Sequence, residues 1–337
     1  MIQNRLLAIL SYVIIVASCK KSNTNYDNNP ALYVAGNYGD TAVYWKNGVR
    51  HNLSRGAANS ILVSNNDVYI AGTQYLSTRA AATYWKNEVP TNFFNDFSTS
   101  YSTYSTSIYV NGSDVYIAGY IDAPNGLGIA VYWKNGIISL LTDDTKNSAG
   151  RAIAVSGNEV YVAGNQFDST GAPSPVYWKN GTVAVLVPGT AGGIANSVSI
   201  SNSDIYFGGW SSGAMNWDTA SYWKNGQSVI LKPTQNNMYP SLTNAIYVSA
   251  SDVYVAGVQY ANNISIATYW KNGIAFTLTD EAQNSSANSI FVKGSDVYVA
   301  GYTTVNGKTA ATLWKNGIAS VFTDGRVNAT ANSIFAE

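Results

Sequence analysis

Two short stretches, Asp252-Val-Tyr-Val-Ala-Gly257 and Ala267-Thr-Tyr-Trp-Lys-Asn-Gly273, decide the fold, because both recur along most of the chain. The first stretch returns around seven marker tyrosines: Tyr33, Tyr69, Tyr116, Tyr161, Tyr206, Tyr254 and Tyr298. The second returns around seven tryptophans: Trp45, Trp85, Trp133, Trp178, Trp223, Trp270 and Trp314. Residues 32–337 therefore contain seven copies of one unit of about 45 residues.

Each copy contains four segments that are typical of β-strands. In the sixth copy and the approach to the seventh, they are residues 252–257, 267–271, 274–278 and 287–292, which are rich in β-branched and aromatic residues and contain no proline. Asn272-Gly273 predicts a type I′ hairpin turn, which needs positive φ at both central residues. Four antiparallel strands per unit at this period predict an all-β fold, a seven-bladed β-propeller of four-stranded antiparallel blades.

The register of the repeat also predicts how the ring closes. The segment before each Asp-x-Tyr strand is read as the innermost strand of that blade, and the first copy lacks one. The chain ends with a spare segment of this kind, Ala331-Asn-Ser-Ile-Phe335. Adding it beside Leu32–Gly36 pairs two open sheet edges, so we expect the C-terminal strand to close the ring.

The N-terminus has the pattern of an export signal. Residues 1–18 carry Arg5 and then the apolar run from Leu6 to Val16, which predicts a signal peptide and is too short for a permanent membrane helix. The run ends in Val16-Ala-Ser-Cys19, which resembles the lipobox of bacterial lipoproteins. The resemblance implies cleavage before Cys19 and lipidation of that residue. The alternative is a chance cysteine after an ordinary signal peptide.

The lipobox resemblance also implies a location. Residues 19–31 would be the lipidated cysteine and a polar tether, and residues 32–337 the propeller. Lys20 follows the cysteine, where an aspartate would favour retention in the inner membrane of a Gram-negative cell. We therefore expect a cell-envelope protein at the outer membrane, attached to the bilayer only through its lipid anchor.

The repeat has a family resemblance. The pattern of a small-residue strand, Ala-x-x-Trp-x-Asn-Gly and a strand that ends near Leu, as in Ala267 to Leu278, resembles HAF-type extracellular repeats. It is more distantly similar to bacterial surface propellers such as kelch-like proteins. The resemblance covers all seven copies and implies an extracellular propeller. It implies no particular activity.

Composition excludes several classes of function. The chain has 19 basic and 19 acidic residues, so it lacks the positive field of a general nucleic-acid binder. One cysteine cannot build a disulfide framework or a cysteine zinc cluster. The only histidine, His51, lies beside a hairpin with no catalytic motif around it. We expect no cofactor, no metal and a monomeric protein.

Most conspicuous repeat residues are interpreted as structural. A tryptophan at one fixed strand position packs between neighbouring blades, although a carbohydrate-binding role is the alternative. Asp114 opens one strand and Lys134 ends its antiparallel neighbour, which predicts a cross-strand ion pair.

One polar residue opens each inner strand: Asn59, Thr106, Arg151, Asn196, Asn244, Asn288 and Asn332. We expect these side chains to satisfy backbone groups of the preceding loop rather than bind a ligand.

A binding site is expected on the face where the copies diverge. The Asn-Gly turns and turns such as Lys293-Gly-Ser-Asp296 are tight and similar in every copy, whereas the connections at the opposite face are longer and variable. Two variable connections carry aromatic residues beside amides or carboxylates. The predicted ligand-binding residues are Trp210, Asn216, Trp217 and Asp218 in the fifth copy and Phe93 and Phe94 in the second. The alternative is that these aromatic residues pack the loops onto the blades.

Two functions from different classes remain open. The first is a non-catalytic binding module for an extracellular glycan or a protein partner. The second is a lyase or glycosidase that uses loop carboxylates such as Asp143-Asp144 and Asp280-Glu281.

The lipobox generates the first testable prediction. A Cys19→Ala variant should lose its association with membranes and should incorporate no labelled fatty acid, because the acyl chains are then absent. Fractionation of cells after a high-salt wash, with metabolic labelling by a fatty acid, measures both effects. Retention of the variant in the washed membrane fraction would place the anchor elsewhere in the chain.

Overall fold

The computed structural model describes residues 30–93, 101–187, 192–212, 218–235 and 240–337. The predicted signal peptide and the predicted site residues Cys19, Phe94, Asn216 and Trp217 lie outside these ranges. All regular secondary structure in the described ranges is β, and the strands pair in antiparallel sheets. The predicted all-β, propeller-like architecture of four-stranded antiparallel sheets is thus confirmed. In the same ranges there is no helix with the length and hydrophobicity that a membrane crossing requires.

The first two repeats share one long strand. Six strands follow in order: β1 (Leu32–Tyr38), β2 (Thr41–Lys46), β3 (Val49–Ser64), β4 (Asp67–Tyr75), β5 (Ala80–Lys86) and β6 (Val89–Phe93). Residues 49–55 of β3 pair with β2, and residues 56–64 pair with β4. The strand changes sheets at Gly56, where φ is +148° and an added Cβ would lie 1.9 Å from the carbonyl oxygen of Thr73. Only glycine fits this position.

The remaining repeats each form a separate four-stranded sheet. The third contains β7 (Thr103–Asn111), β8 (Asp114–Asp122), β9 (Gly128–Lys134) and β10 (Ile137–Leu140). The fourth contains β11 (Ser148–Ser156), β12 (Glu159–Phe167), β13 (Pro173–Lys179) and β14 (Thr182–Val185). The fifth contains β15 (Gly193–Ser201), β16 (Asp204–Ser212), β17 (Asp218–Lys224) and β18 (Gln227–Ile230). The sixth contains β19 (Ser241–Ser249), β20 (Asp252–Ala261), β21 (Ile264–Lys271) and β22 (Ile274–Thr277). The seventh contains β23 (Ser285–Lys293), β24 (Asp296–Val305), β25 (Lys308–Lys315) and β26 (Ile318–Val321).

The last strand, β27 (Ala329–Ala336), completes the sheet of the first repeat. It pairs antiparallel with β1 in a register that joins Val34 to Ile334 and Tyr33 to Phe335. The predicted pairing of the C-terminal segment with the first strand is confirmed. We call β27, the second half of β3, β7, β11, β15, β19 and β23 the inner strands, because each packs beside the inner strand of the neighbouring repeat.

Every inner strand contains a one-residue bulge at the same repeat position. In the third repeat Ser105 pairs with Gly119 and Ser107 with Ala118, so Thr106 is the extra residue. The seven bulge residues are Asn59, Thr106, Arg151, Asn196, Asn244, Asn288 and Asn332. A bulge bends the strand and redirects the side chain of the extra residue.

The bulge explains the recurring Ala-Gly pair of the second strand. An added Cβ on Gly119 would lie 1.9 Å from the carbonyl oxygen of Tyr104 and 3.0 Å from the ring of Trp133. The same close approach, at 1.9–2.0 Å to a backbone oxygen, occurs at the equivalent glycines of all seven repeats: Gly36, Gly72, Gly119, Gly164, Gly209, Gly257 and Gly301. No residue with a Cβ can occupy this position without moving the inner strand.

The bulge residues connect each inner strand to the next. The amide of Asn59 donates a hydrogen bond of 2.8 Å to the carbonyl of Ser105, directly before the next bulge. Equivalent bonds run from Thr106 to Gly150, Asn196 to Thr243, Asn244 to Ala287, Asn288 to Ala331 and Asn332 to Ala58. These side chains do satisfy backbone groups, as the sequence indicated, but the groups belong to the neighbouring inner strand and not to the preceding loop.

A second set of bonds follows from the serine after the bulge. The backbone N–H of Ile108 donates to the hydroxyl of Ser60, and that of Ile153 donates to Ser107. The same bond joins Ile246 to Ser197, Ile334 to Ser289 and Ile61 to Ser333. The serine after the bulge residue therefore connects neighbouring sheets at five of the seven junctions.

The repeat tryptophans form the core between sheets. All seven are at most 1% exposed. Trp178 of the fourth repeat, for example, belongs to a cluster with Tyr116, Ala118 and Leu141 of the third. Such a position buries the whole indole area, so the structural interpretation of these residues is confirmed.

The pairing of β27 with β1 generates a prediction about stability. Ile334 is 4% exposed in the cluster between the first and seventh repeats, so Ile334→Ala should lower the free energy of unfolding by about 2–5 kcal/mol. Ile318→Ala is the matched control, because Ile318 is 74% exposed and its loss should change stability by no more than about 0.5 kcal/mol. Urea unfolding followed by tryptophan fluorescence compares the two. Equal effects would show that β27 is not part of the core.

Candidate ligand-binding face

The antiparallel order gives the sheets two different faces. The turns from the inner strand to the second strand and from the third to the fourth, such as 112–113 and 135–136, lie on what we call the constant face. The connections from the second to the third strand and from the fourth to the next inner strand, such as 123–127 and 141–147, lie on the variable face. The hairpin prediction is confirmed at the constant face, where Asn135 has a φ of 51° and Gly136 of 85°.

Charged groups of the constant face form ion pairs within six of the seven repeats. In the third repeat, Lys134 Nζ lies 2.8 Å from Asp114 Oδ2 and 5.1 Å from the centroid of the Tyr116 ring. Asn135 Nδ2 donates to the other oxygen of Asp114, and Asn135 Oδ1 accepts from the backbone N–H of Val115. The same Lys–acid pair occurs in five other repeats: Lys86–Asp67, Lys179–Glu159, Lys224–Asp204, Lys271–Asp252 and Lys315–Asp296. The predicted cross-strand pairs are confirmed and have a structural role.

The single histidine also has a structural partner. Glu88 replaces the turn glycine of the second repeat and holds a φ of 70°, a region that glycine normally occupies. Its carboxylate lies 3.0 Å from His51 Nδ1 and accepts a hydrogen bond from the hydroxyl of Tyr44. His51 stacks on Tyr44 with ring centroids 4.5 Å apart. This cluster ties the first repeat to the second.

The variable face carries a group of clefts between the third and fourth repeats. One, of about 730 Å³, is lined by residues that include Leu127, Lys146, Asn147, Phe167 and Asp168. A smaller cavity of about 280 Å³ adjoins it and shares Asn147 and Phe167. The smaller cavity is lined by residues of the inner strand β11, and the larger one by residues of the outer strand β14. A third cleft, of about 760 Å³, lies on the constant face and is lined by Pro30–Leu32, where the N-terminal segment joins the first sheet.

The smaller cavity contains the one charged bulge residue. Arg151 is half-buried there, and its Nε donates a hydrogen bond of 2.8 Å to Asn165 Oδ1 in its own sheet. It makes no bond to the next inner strand and no ion pair with a carboxylate of the described residues. Burial lowers the pKa of the Arg151 guanidinium, and the neighbouring Tyr120 opposes that shift. A guanidinium keeps its proton under these conditions, so the cavity wall is cationic.

Asn165 holds the guanidinium in place. It is 1% exposed, and because its oxygen accepts from Arg151, its nitrogen must point the other way. Asn165 Nδ2 is buried and has no hydrogen-bond partner among the described residues. Buried amide nitrogens are almost always bonded to protein, water or ligand. Asn165 is therefore a buried donor at the wall of this cavity.

The opposite wall of the cavity belongs to the third repeat. Tyr120 and Asp122 line it, and Tyr120 stacks on Tyr104 with ring centroids 4.7 Å apart. Burial raises the pKa of Asp122, an effect that the hydroxyl of Tyr104 partly offsets. Burial also raises the pKa of Tyr120. One cavity thus holds a cation, a carboxyl group, the aromatic rings of Tyr120 and Phe167, and side-chain amides.

The structure places Phe93 in the core. It is 7% exposed and stacks between Tyr84 and Trp133, with ring centroids 5.5 and 5.8 Å apart. It ends β6 and pairs with Ala82, so it belongs to the sheet rather than to the connection that follows. The expectation of an exposed aromatic side chain at Phe93 is corrected: the residue packs the second sheet against the third, as the packing alternative proposed.

Trp210 lies on a strand and not in a loop. It pairs with Ile194 and Ala220 near the variable end of β16, and its side chain is half-buried. It holds the repeat position that Tyr120 occupies in the third sheet, directly after the Ala-Gly or Gly-Gly pair. Asp218 begins β17, and one of its carboxylate oxygens accepts a hydrogen bond of 3.1 Å from Ser212. Both residues therefore lie at the variable face.

The paired acids of the loops stabilise those loops. Asp143 accepts hydrogen bonds from the hydroxyl and the backbone N–H of Thr145, and these bonds lower its pKa. Asp280 accepts from the backbone N–H of Ala282 in the same manner. Among the described residues, no three His, Cys, Asp or Glu side chains are grouped to hold a metal ion.

Sequence reasoning did not identify the Arg151 cavity as a candidate site. Arg151 was noted as one member of the polar series, but Tyr120, Asp122 and Asn165 attracted no attention because each occupies an ordinary repeat position. A signal was available in the repeat itself. The asparagine or threonine at the bulge of the other six inner strands, and the serine that follows it in five of them, are replaced here by Arg151-Ala152, which removes both inter-sheet connections at once.

No protein-family model matches this chain, and no curated protein matches it.

Asp122 generates a prediction about pH. Because burial raises its pKa above the ordinary value of about 3.9, the folded protein favours the neutral carboxyl group. The neutral Asp122 carboxyl group therefore contributes to the stability of the fold when the pH is below the ordinary pKa. This contribution is lost as the pH rises through the pKa that Asp122 has in the folded protein. Asp122→Asn, which stays neutral, should melt at a higher temperature than the wild type at pH 7, and the difference should vanish near pH 3.

Asp114→Asn is the control of opposite sign. Hydrogen bonds from Lys134 and Asn135 lower the pKa of Asp114, so its contribution is present above the ordinary pKa and is lost as the pH falls through the folded value. The melting temperature of that variant should be lower than that of the wild type at pH 7, and the difference should shrink as the pH falls. Calorimetric melting temperatures between pH 3 and pH 7 measure both. A pH-independent difference for Asp122→Asn would contradict the assignment.

Proposed function

We propose that this chain is an outer-membrane lipoprotein whose closed seven-bladed β-propeller binds an extracellular glycan through its variable face, without catalysis. The single observation that carries the proposal is the contrast between the two faces. Repeated ion pairs engage the lysines and acids of six repeats at the constant face, whereas the Arg151 cavity leaves a cation and a buried amide donor available at the variable face.

Closure of the ring is supported by the connections between inner strands. Six of seven bulge residues bond to the next inner strand, and the bond from Asn332 to Ala58 links β27 to β3. The serine bonds follow the same path, including that from Ile61 to Ser333. Six of the seven junctions between neighbouring inner strands therefore carry a side-chain bond, and β11 packs beside β15 at the remaining one, which supports a closed ring. The Ile334→Ala comparison tests the joint at which this ring closes.

The position of the N-terminal segment supports a defined orientation at the membrane. Leu32 N donates to Asn47 Oδ1 in the Asn-Gly turn, so the chain enters the first sheet at the constant face. A lipid at Cys19 would hold the constant face toward the bilayer, with only the tether of residues 20–31 between them. The variable face would then point away from the membrane, toward extracellular ligands.

The residues of the variable face suit a carbohydrate. Sugar rings pack their C–H faces on aromatic side chains, and their hydroxyls exchange hydrogen bonds with amides and carboxylates. Tyr120, Phe167, Asn147 and Asp122 supply these groups in the adjoining cavities, and Trp210 occupies the equivalent of Tyr120 two repeats further on. A glycan chain that runs along the variable face would meet both positions.

The enzymatic alternative has less support. The paired acids Asp143-Asp144 and Asp280-Glu281 lie in loops of the third and sixth repeats, and the first acid of each pair is bonded to its own loop. Glycoside hydrolysis requires two carboxyl groups on either side of one bond. Asp122 alone does not supply that pair, so we favour a binding protein.

A glycan array with the full chain in detergent tests the proposal. The wild type should bind at least one glycan class, and Phe167→Ala should weaken that binding by about 1–3 kcal/mol, because Phe167 lines both cavities. Trp210→Ala and Trp217→Ala should weaken binding by a similar amount if the ligand reaches the fifth repeat. Phe276→Ala is the matched control, since Phe276 is 42% exposed on an outer strand away from these cavities.

The same variants distinguish the alternatives. Loss of binding in Phe276→Ala to the same degree would place the site outside the variable face. Binding of a purified envelope protein, with no response on the array, would replace the glycan with a protein partner. Melting temperatures of all four variants must stay near that of the wild type. Trp223→Ala, which removes a fully buried core residue, should cost about 3–5 kcal/mol and shows how a core defect behaves.

A further inference from the structure

Arg151 lacks the hydrogen bond to the next inner strand that the other six bulge residues make. At the other six bulge positions an amide or a hydroxyl bonds to the carbonyl just before the next bulge. Arg151 turns to Asn165 in its own sheet, and Ala152 replaces the serine that would accept the second bond. The fourth repeat therefore lacks both hydrogen bonds to the fifth, and the half-buried Arg151 cation lies in a cavity.

A half-buried cation in a cavity is stabilised by an anionic partner. Withdrawing a charge from water is costly unless a counter-charge or strong hydrogen bonds replace the solvent. Within the described residues Arg151 has one hydrogen bond, through Nε, and no ion pair. Because Nε is held, the plane of the guanidinium is fixed, and its terminal nitrogens remain available to an acceptor.

The remaining groups of the cavity restrict the anion. Asp122 lines the same cavity, so its carboxyl group would repel an anion with two charges, such as a phosphate monoester, more strongly than an anion with one. A carboxylate carries a single charge and matches the planar guanidinium with two parallel hydrogen bonds. Asp122, Thr106 and Asn147 provide oxygen atoms for hydroxyl donors, and Tyr120 provides an aromatic surface.

The size of the cavity agrees with a ring-sized ligand. Its volume of about 280 Å³ is small for a ligand site, and it shares Asn147 and Phe167 with the neighbouring cleft of about 730 Å³. A polymer could place one residue beside Arg151 and its neighbours in the larger cleft. A ligand that combines one carboxylate, several hydroxyls and a ring is a uronic acid.

We propose that the Arg151 cavity binds the carboxylate of a uronic acid residue in an acidic polysaccharide. This inference rests on the proposed glycan-binding function and names the class of glycan. Arg151 bonds the carboxylate, Asn165 orients the guanidinium, and Asp122 with its neighbours receives the ring hydroxyls. The ring lies against Tyr120, and the polymer continues outward past Phe167.

The test compares one polymer with and without its charge. Oligogalacturonate and its carboxyl-reduced, neutral counterpart are titrated into the full chain in detergent, and binding is measured by calorimetry. The wild type should bind the acidic form on the order of tenfold more tightly, which is the contribution of one charge-assisted pair. Arg151→Asn should remove this preference, so that the variant binds the acidic and the neutral forms with equal affinity.

Arg151→Asn is a conservative choice for the fold. It installs the residue that five other bulge positions carry, with a carbonyl of the next inner strand in the matching place, so its melting temperature should be no lower than that of the wild type. Arg151→Lys is the second variant, because an ammonium keeps the charge but cannot form the two parallel bonds. It should retain only part of the preference. If Arg151→Asn fails to fold, Arg151→Lys decides the question by the same measurement.

The outcomes separate the two proposals. Equal binding of the acidic and neutral polymers by the wild type would overturn the uronic acid assignment and leave glycan binding intact. A preference that persists in Arg151→Asn would place the carboxylate elsewhere and would also overturn it. Acetate tests the simplest anion: if it competes as well as galacturonate, the cavity is a carboxylate site without sugar specificity, and the assignment fails. Absence of binding to every glycan on the array would overturn the proposed function itself.

Discussion

One extra residue in each inner strand determines how the sheets of this protein are joined. The bulge pushes the inner strand so close to its neighbour that only glycine fits opposite it, as at Gly119. It also turns the side chain of the extra residue toward the next sheet, where Asn59 and its equivalents find a carbonyl. The bulge, the glycine and the Asn-Ser pair are therefore parts of one arrangement, and a change in any of them affects the others. The buried tryptophans fill the space that this arrangement leaves between sheets.

Most of the architecture could be predicted from the sequence because local and long-range signals agree. The Asn-Gly turns fix the hairpins, the strand residues are β-branched or aromatic, and the repeat gives the order of the sheets. The pairing of the last strand with the first followed from the count of inner strands. The bulges could not be foreseen, because an extra residue in a strand has no signature of its own beyond the glycine it requires. The direction of the asparagine side chains depended on the bulge and was assigned to the wrong backbone groups.

The candidate site was harder to predict, since a departure from a repeat has meaning only when the role of the repeated residue is known. Trp210 and Phe93 drew attention as aromatic residues near variable connections, but the structure places both on strands and buries Phe93. Arg151 stood among seven polar residues and became unusual only once the other six were seen to bond to their neighbours. The chemistry of the cavity arises from residues such as Asn165 and Asp122, which are brought together across two sheets by the fold.

The pairing of β1 with β27 has a consequence for the order of folding. The two strands belong to opposite ends of the described chain, and each buries residues against the other. During synthesis, the first repeat would emerge early and keep an unpaired strand edge until the last residues arrive. Such an edge is open to wrong partners, including the same strand of another molecule, and contacts so distant in sequence form slowly. Newly made copies that are crowded together during this interval would be open to exchanged, intermolecular pairing.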